Sequence, residues 1–106
     1  MRFPVLIVKR LPANGMALFP FILLKTASLK SNQVILNHEL IHIRQQLELL
    51  ILPFYLLYLG HYLINRLKYK DHYTAYMAII FEKEAYAMEK DLQYLKKRPF
   101  FNWLNF

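Results

Sequence analysis

The 106 residues suffice for one domain of ordinary size, and 57% hydrophobic against 20% charged residues excludes a disordered tail, which needs low hydrophobicity and high net charge. The absence of cysteine rules out disulfide frameworks, thiolate zinc knuckles, iron–sulfur clusters and cysteine nucleophiles, so any metal must be held by His, Asp or Glu. Two glycines, Gly15 and Gly60, cannot make a phosphate-cradling loop, and the net charge of +7 fits nucleic acid, an anionic membrane surface or simple solubility equally well.

In chain order, the stretch from Met1 to Arg10 has an apolar core shorter than the roughly 7–15 residues of a secretory signal, so the expected location is cytoplasmic or peripheral to a membrane. Residues 1–30 lack helical spacing. Val5-Leu6-Ile7-Val8 and Ile22-Leu23-Leu24, punctuated by Pro4, Pro12, Asn14-Gly15 and Pro20, predict two short strands joined by a turn near Pro12 to Gly15. From Ser31 or Asn32, either of which can cap, Val34, Ile35, His38, Ile41, His42, Gln45 and Leu49 recur at spacings of three and four, which predicts a helix over about 32–51. Pro53 should kink or end it. A second apolar helix is expected over about 54–67. A third, started by Asp71 and closed by Pro99 after Lys96-Lys97-Arg98, is expected over about 72–97, with Ala78, Phe81, Glu82, Ala85, Met88, Leu92 and Leu95 facing inward. The aromatic tail from Phe100 to Phe106 should dock against the remainder.

Within the first helix, His38-Glu39-Leu40-Ile41-His42 reads H-E-x-x-H. Residues four apart on an α-helix differ by about 40° in direction, so both imidazoles aim at one spot. Glu39, about 100° from His38, is placed to act on a water held there without replacing it. A zinc site needs a third protein ligand, and the downstream candidates are Glu48, His61, Asp71, His72, Glu82, Glu84 and Glu89. Glu48 is about 240° round from His42 on the same helix and cannot reach. Glu82 is favoured over Glu84, because Ala85 one turn later lets the third helix approach the first. The bland alternative makes Glu82 and Glu84 a solvated stripe paired with Lys83 or Lys90. Gln45 and Gln46, one turn beyond His42, could orient a ligand or simply form a polar helix side.

His38-Glu39-Leu40-Ile41-His42 followed by Glu82-Lys83-Glu84-Ala85 resembles the gluzincin branch of the zincin metallopeptidases, in which H-E-x-x-H on one helix is completed by a Glu on a second. The E-x-x-A spacing is similar to that of the CAAX-processing and heat-shock membrane metallopeptidases, with Tyr86 where their pattern continues with Asp. In size the chain resembles the minigluzincins, and the string from Asn37 to Gln46 resembles that of short bacterial zincin-like proteins. The resemblance implies one Zn2+ held by His38, His42 and Glu82, with Glu39 as general base in hydrolysis of a peptide or protein substrate by a zinc-activated water. It also implies an extended substrate paired with the strand before the active-site helix, here residues 17–24, and a Tyr or His at the oxyanion, for which His72, Tyr76 and Tyr86 stand open.

Leu49 to Leu59 is an uncharged apolar run, but too short for the roughly 20 residues of a membrane span. Tyr55, Tyr58, Tyr62 and Tyr69 resemble interfacial anchors, and Arg66, Lys68 and Lys70 follow, so peripheral membrane contact or a homo-oligomer contact both stay open. The dispersed positive charges and the lack of a helix-turn-helix or aromatic platform argue against nucleic acid. The expected architecture is an α+β, mainly helical zincin-like domain over 1–106, with short N-terminal strands followed by about three helices. The expected function is that of a zinc metallopeptidase. Its rival is a non-catalytic module, stabilised by zinc or made for membrane or protein contact.

Overall fold

The computed structural model describes residues 3–106; Met1 and Arg2, which open the stretch expected to lack a signal, lie outside the described residues. The apolar runs extend as three strands, one more than the expected pair: β1 (Val5–Ile7), β2 (Gly15–Leu18) and β3 (Phe21–Leu24). They form one sheet in the order β1-β3-β2. The chain reverses between Leu18 and Phe21, so β2 and β3 pair antiparallel, with Leu18 opposite Phe21 and Gly15 opposite Leu24. β1 runs parallel to β3 on its other side, Val5 opposite Ile22. Residues 17–24, expected as one strand, are therefore a hairpin in which β2 is an edge and β3 is paired on both sides. Alternation along β3 turns Ile22 and Leu24 inward, where they pack with Ala17 and Ile43.

Helix α1 (Gln33–Glu48) starts where Asn32 Oδ1 accepts the amides of Val34 and Ile35 at 3.1 and 3.2 Å. It stops short of residue 51, because Leu50 and Ile51 take positive φ of 61° and 72°, bending the chain by 112° into α2 (Leu52–Lys68). Pro53 falls in the first turn of α2, where a missing N–H is harmless, so it opens that helix rather than kinking α1. No single helix among the described residues is long and apolar enough to cross a membrane.

The expected helix over 72–97 is divided into α3 (His72–Met77), α4 (Ile80–Met88) and α5 (Tyr94–Lys97). Asp71 caps α3 as expected, its Oδ2 accepting the Thr74 amide at 2.9 Å. Both breaks are made by partners distant in sequence. Ile79 turns extended, and the freed Ile80 amide donates to His61 Nδ1 at 3.2 Å. Asn37 Nδ2 then caps the far end of α4, donating to the carbonyls of Met88, Glu89 and Asp91 at 3.3, 2.8 and 3.0 Å. Leu92, expected inward, lies exposed in the resulting linker. The tail does dock: Trp103, in a 3-10 turn at Asn102–Asn105, meets Phe81 edge-on with ring centres 5.0 Å apart. The outcome is an α+β, mainly helical fold with five α-helices among the described residues in place of about three.

Candidate metal centre

Ala85 is fully buried and packs with Ile41, so α4 lies close against α1. At that contact Glu82 Oε1 stands 3.2 Å from His38 Nε2 and 3.0 Å from His42 Nε2, and one donor atom from each residue lies within 4.8 Å of the others. All three residues are buried, and the group could hold a metal ion.

The donor chemistry fits such an ion. His38 Nδ1 lies 2.8 Å from Glu89 Oε1 and His42 Nδ1 lies 2.8 Å from Gln45 Oε1. Both partners are acceptors, so each Nδ1 carries and donates a proton, leaving the Nε2 atoms aimed at Glu82. Gln45 is fixed in that orientation because its Nε2 donates to the Phe81 carbonyl at 3.0 Å and to Glu84 Oε1 at 2.9 Å. Two imidazole nitrogens and one carboxylate oxygen make a three-ligand set with room for a fourth position. Glu82 is held further by the Tyr58 hydroxyl, which donates to its Oε2 at 2.6 Å.

Burial alone would push the Glu82 carboxyl up, but the His42 charge and hydrogen bonds from His38, His42 and Tyr58 hold it well below the ordinary range. For His42, burial pulls down while the Glu82 charge and hydrogen bond lift it to about 9. A metal must displace that proton to bind. Burial raises the Glu39 carboxyl above its ordinary 4.5, against the lowering effect of the two imidazoles. Gly15 on β2 admits this carboxylate: a Cβ there would stand 2.9 Å from Glu39 Oε2.

The centre lies at one side of a cavity of about 750 Å³ that is open to solvent and lined in part by His38, Glu39, Tyr58, Tyr76, Tyr86 and Glu89. An adjoining pocket of about 240 Å³ reaches His42 and Glu82 between β2 and α2.

The other candidates sit elsewhere. His61 caps α4, and Asp71 caps α3. His72 Nδ1 lies 2.7 Å from the Tyr62 hydroxyl at the cavity wall. Glu89 orients His38 rather than adding a ligand. The solvated stripe is overturned at Glu84, which is 0% exposed. It accepts from Tyr94 Oη at 2.5 Å and from Arg98 Nη2 at 3.0 Å, with a closer bond from Arg98 Nε. Arg98, which closes α5 as expected of a basic helix end, also donates to Glu48 at 2.7 and 2.9 Å. Gln46 is structural: its Nε2 donates to the Ala17 carbonyl at 2.7 Å, and its Oε1 accepts the Phe19 amide at 2.9 Å.

Two partners escaped sequence reasoning, Glu89 as the acceptor for His38 and Tyr58 as the donor to Glu82. The spacing suggests Tyr58 as an interfacial anchor beside Tyr55 and Tyr62, whereas the three hydroxyls bond Glu82, Gln46 and His72 respectively. A signal for Tyr58 existed in its spacing with Phe54 and His61 along one side of α2. Comparison with protein-family models, with curated proteins and with solved structures finds no match.

Proposed function

We propose that the protein is a zinc-dependent metallopeptidase of the gluzincin type, hydrolysing peptide bonds. The observation that supports this reading is the meeting of His38, His42 and Glu82 beside Glu39 at an open cleft. The two imidazoles and the carboxylate would hold the ion, and a bound zinc supplies Lewis acidity, lowering the pKa of water towards about 7 and polarising a carbonyl.

The chain's own groups do the rest. Glu39 takes a proton from the attacking water and returns it to the leaving amine, a task suited to a carboxyl whose pKa burial has raised. Tyr76, which lines both the cavity and the inner pocket, is the donor to the developing oxyanion. Burial and the Glu82 charge keep its hydroxyl protonated, and Tyr86 Oη lies 2.9 Å away to orient it. Tyr58 serves less well, since its proton is committed to Glu82. An extended peptide would pair with the edge of β2 near Gly15 and Met16, because Gln46 already takes the Ala17 carbonyl.

The rival, a non-catalytic metal cross-link between α1 and α4, has no use for a cavity of about 750 Å³ reaching Glu39. Metal content and peptide-library cleavage separate the two. The purified protein should carry about one zinc, lost in His42→Ala, and Glu39→Gln should keep the zinc while cleavage falls roughly 10²–10⁴-fold. Cleavage undiminished in Glu39→Gln, or no zinc in the wild type, refutes the proposal.

A further inference from the structure

Helix α2 is inside out. Its inward side carries the polar groups: Tyr58 bonds Glu82, His61 caps α4, Tyr62 meets His72, and Asn65 Nδ2 donates to the Ala75 carbonyl at 3.1 Å. Its outward side is aliphatic up to Arg66 in the last turn, with Leu52, Leu56, Leu59, Leu63, Ile64 and Leu67 all exposed. Leu56 is 64% exposed and Leu67 is 90% exposed. At 1.5 Å per residue the uncharged part of this stripe, from Leu52 to Ile64, is about 20 Å long. At the α1–α2 bend Leu50 is 80% exposed, and the tail, tied there by the Phe101 amide to Glu48 Oε2 at 2.6 Å, adds Phe100, also 80% exposed. A patch of this extent marks an interaction surface.

We infer that this stripe lies in the interface of an anionic lipid bilayer, with α2 parallel to the membrane plane. Two observations select lipid over a protein partner. From Leu52 to Ile64 the stripe holds only Leu, Ile, Pro and Gly, whereas protein–protein hot spots concentrate Trp, Tyr and Arg, and the tyrosines of α2 are turned away from it. The charges at its end are predominantly positive: Arg66, Lys68 and Lys70 are exposed where the aliphatic run stops, against the single carboxylate of Asp71, in a chain of net charge +7. Leu59 belongs both to the stripe and to the wall of the cavity beside His38. Docking by this face therefore sets the cleft mouth at the lipid surface, whatever chemistry the cleft performs.

Flotation of the full chain with phosphatidylcholine vesicles, with and without phosphatidylglycerol, tests the inference. The wild type should float with the anionic vesicles, less so as salt rises. Leu56→Glu with Leu63→Glu should abolish flotation while the far-ultraviolet circular dichroism is unchanged. Lys68→Gln with Lys70→Gln, which leaves the aliphatic stripe intact, should weaken binding about 25-fold, at about fivefold per cation. A wild type that floats with neither vesicle overturns the inference. So does a vesicle-free dimer in light scattering that the leucine variant splits, for the stripe would then be a contact between copies.

Discussion

Arg98→Met tests the buried ionic cluster that ties the tail to α1 and α4. The Arg98 side chain is 0% exposed and faces two carboxylates, Glu84 at 0% and Glu48 at 1% side-chain exposure. Methionine fills most of the space but leaves both acids without their cation. Breaking a buried pair by removing one partner costs about 3–5 kcal/mol. At roughly 0.05–0.15 kcal/mol per residue, a chain of this length holds about 5–16 kcal/mol in all, so the loss is a large fraction. With a urea slope of about 1.5 kcal/mol/M, the midpoint should fall by about 2–3 M. The single tryptophan, Trp103, packs on Phe81 and reports the docking of the tail, so its fluorescence gives the curve directly. Pairing Arg98→Met with Glu84→Gln should recover part of the loss, since one orphaned charge disappears. A midpoint shift below about 0.5 M, with the Trp103 signal unchanged, would refute the claim that these charges are buried and mutually dependent.

Three further outcomes follow from the same geometry. Gln45→Leu removes the acceptor that fixes His42 Nδ1, so zinc affinity should drop about 10–100-fold in calorimetric titration; an unchanged affinity refutes the orienting role. Gly15→Ala sets a methyl group 2.9 Å from Glu39 Oε2 and 3.2 Å from Ile35 Cδ1, which should cost about 1–3 kcal/mol in denaturation and slow peptide cleavage without loss of zinc; wild-type cleavage would count against close approach of β2 to the base. Acidification should release the tail: burial raises Glu84, but hydrogen bonds from Arg98, Gln45 and Tyr94 more than offset this and leave it below its ordinary 4.5. The unfolded chain then binds more protons than the folded one, so this stabilisation is complete above about 4.5 and is lost as pH falls through the lowered value. Trp103 fluorescence that moves instead on raising the pH from 4.5 towards neutral would contradict that sign.

The motif helix was legible because its signals are local. Asn32 lies one residue before the first helical turn, His38 and His42 share a face by spacing alone, and Ala85 marks where α4 can come near. The failures share a cause in tertiary contact. Glu82 and Glu84 are two residues apart, so they point about 200° from each other, and a helix with one inward side cannot bury both. α4 has two covered sides, α1 on one and the returning chain of Tyr94 and Arg98 on the other, and nothing in the spacing of 80–88 announces that return. The breaks at Ile79 and after Met88 were hidden for the same reason, since His61 and Asn37 act across 19 and about 50 residues. For α2 the sequence announces only an apolar helix, not that its polar residues turn inward and its leucines outward, the reverse of the usual arrangement.

That reversal is intelligible from what α1 demands of its neighbours. Its buried face carries Asn37, His38, Glu39, His42, Gln45 and Gln46, a polar load that no hydrophobic partner could accept without leaving groups unsatisfied. Partners come from every side: the end of α4 for Asn37, Glu82 and Glu89 for the histidines, Glu84 for Gln45, and β2 together with Tyr55 for Gln46. α2 therefore spends its tyrosines and histidine on the inside, and its leucines are left for the outside. The membrane-facing stripe inferred for α2 and the metal centre proposed for α1 and α4 are two consequences of one requirement, that the buried amides and imidazoles of α1 be hydrogen-bonded in a chain with few elements to do it.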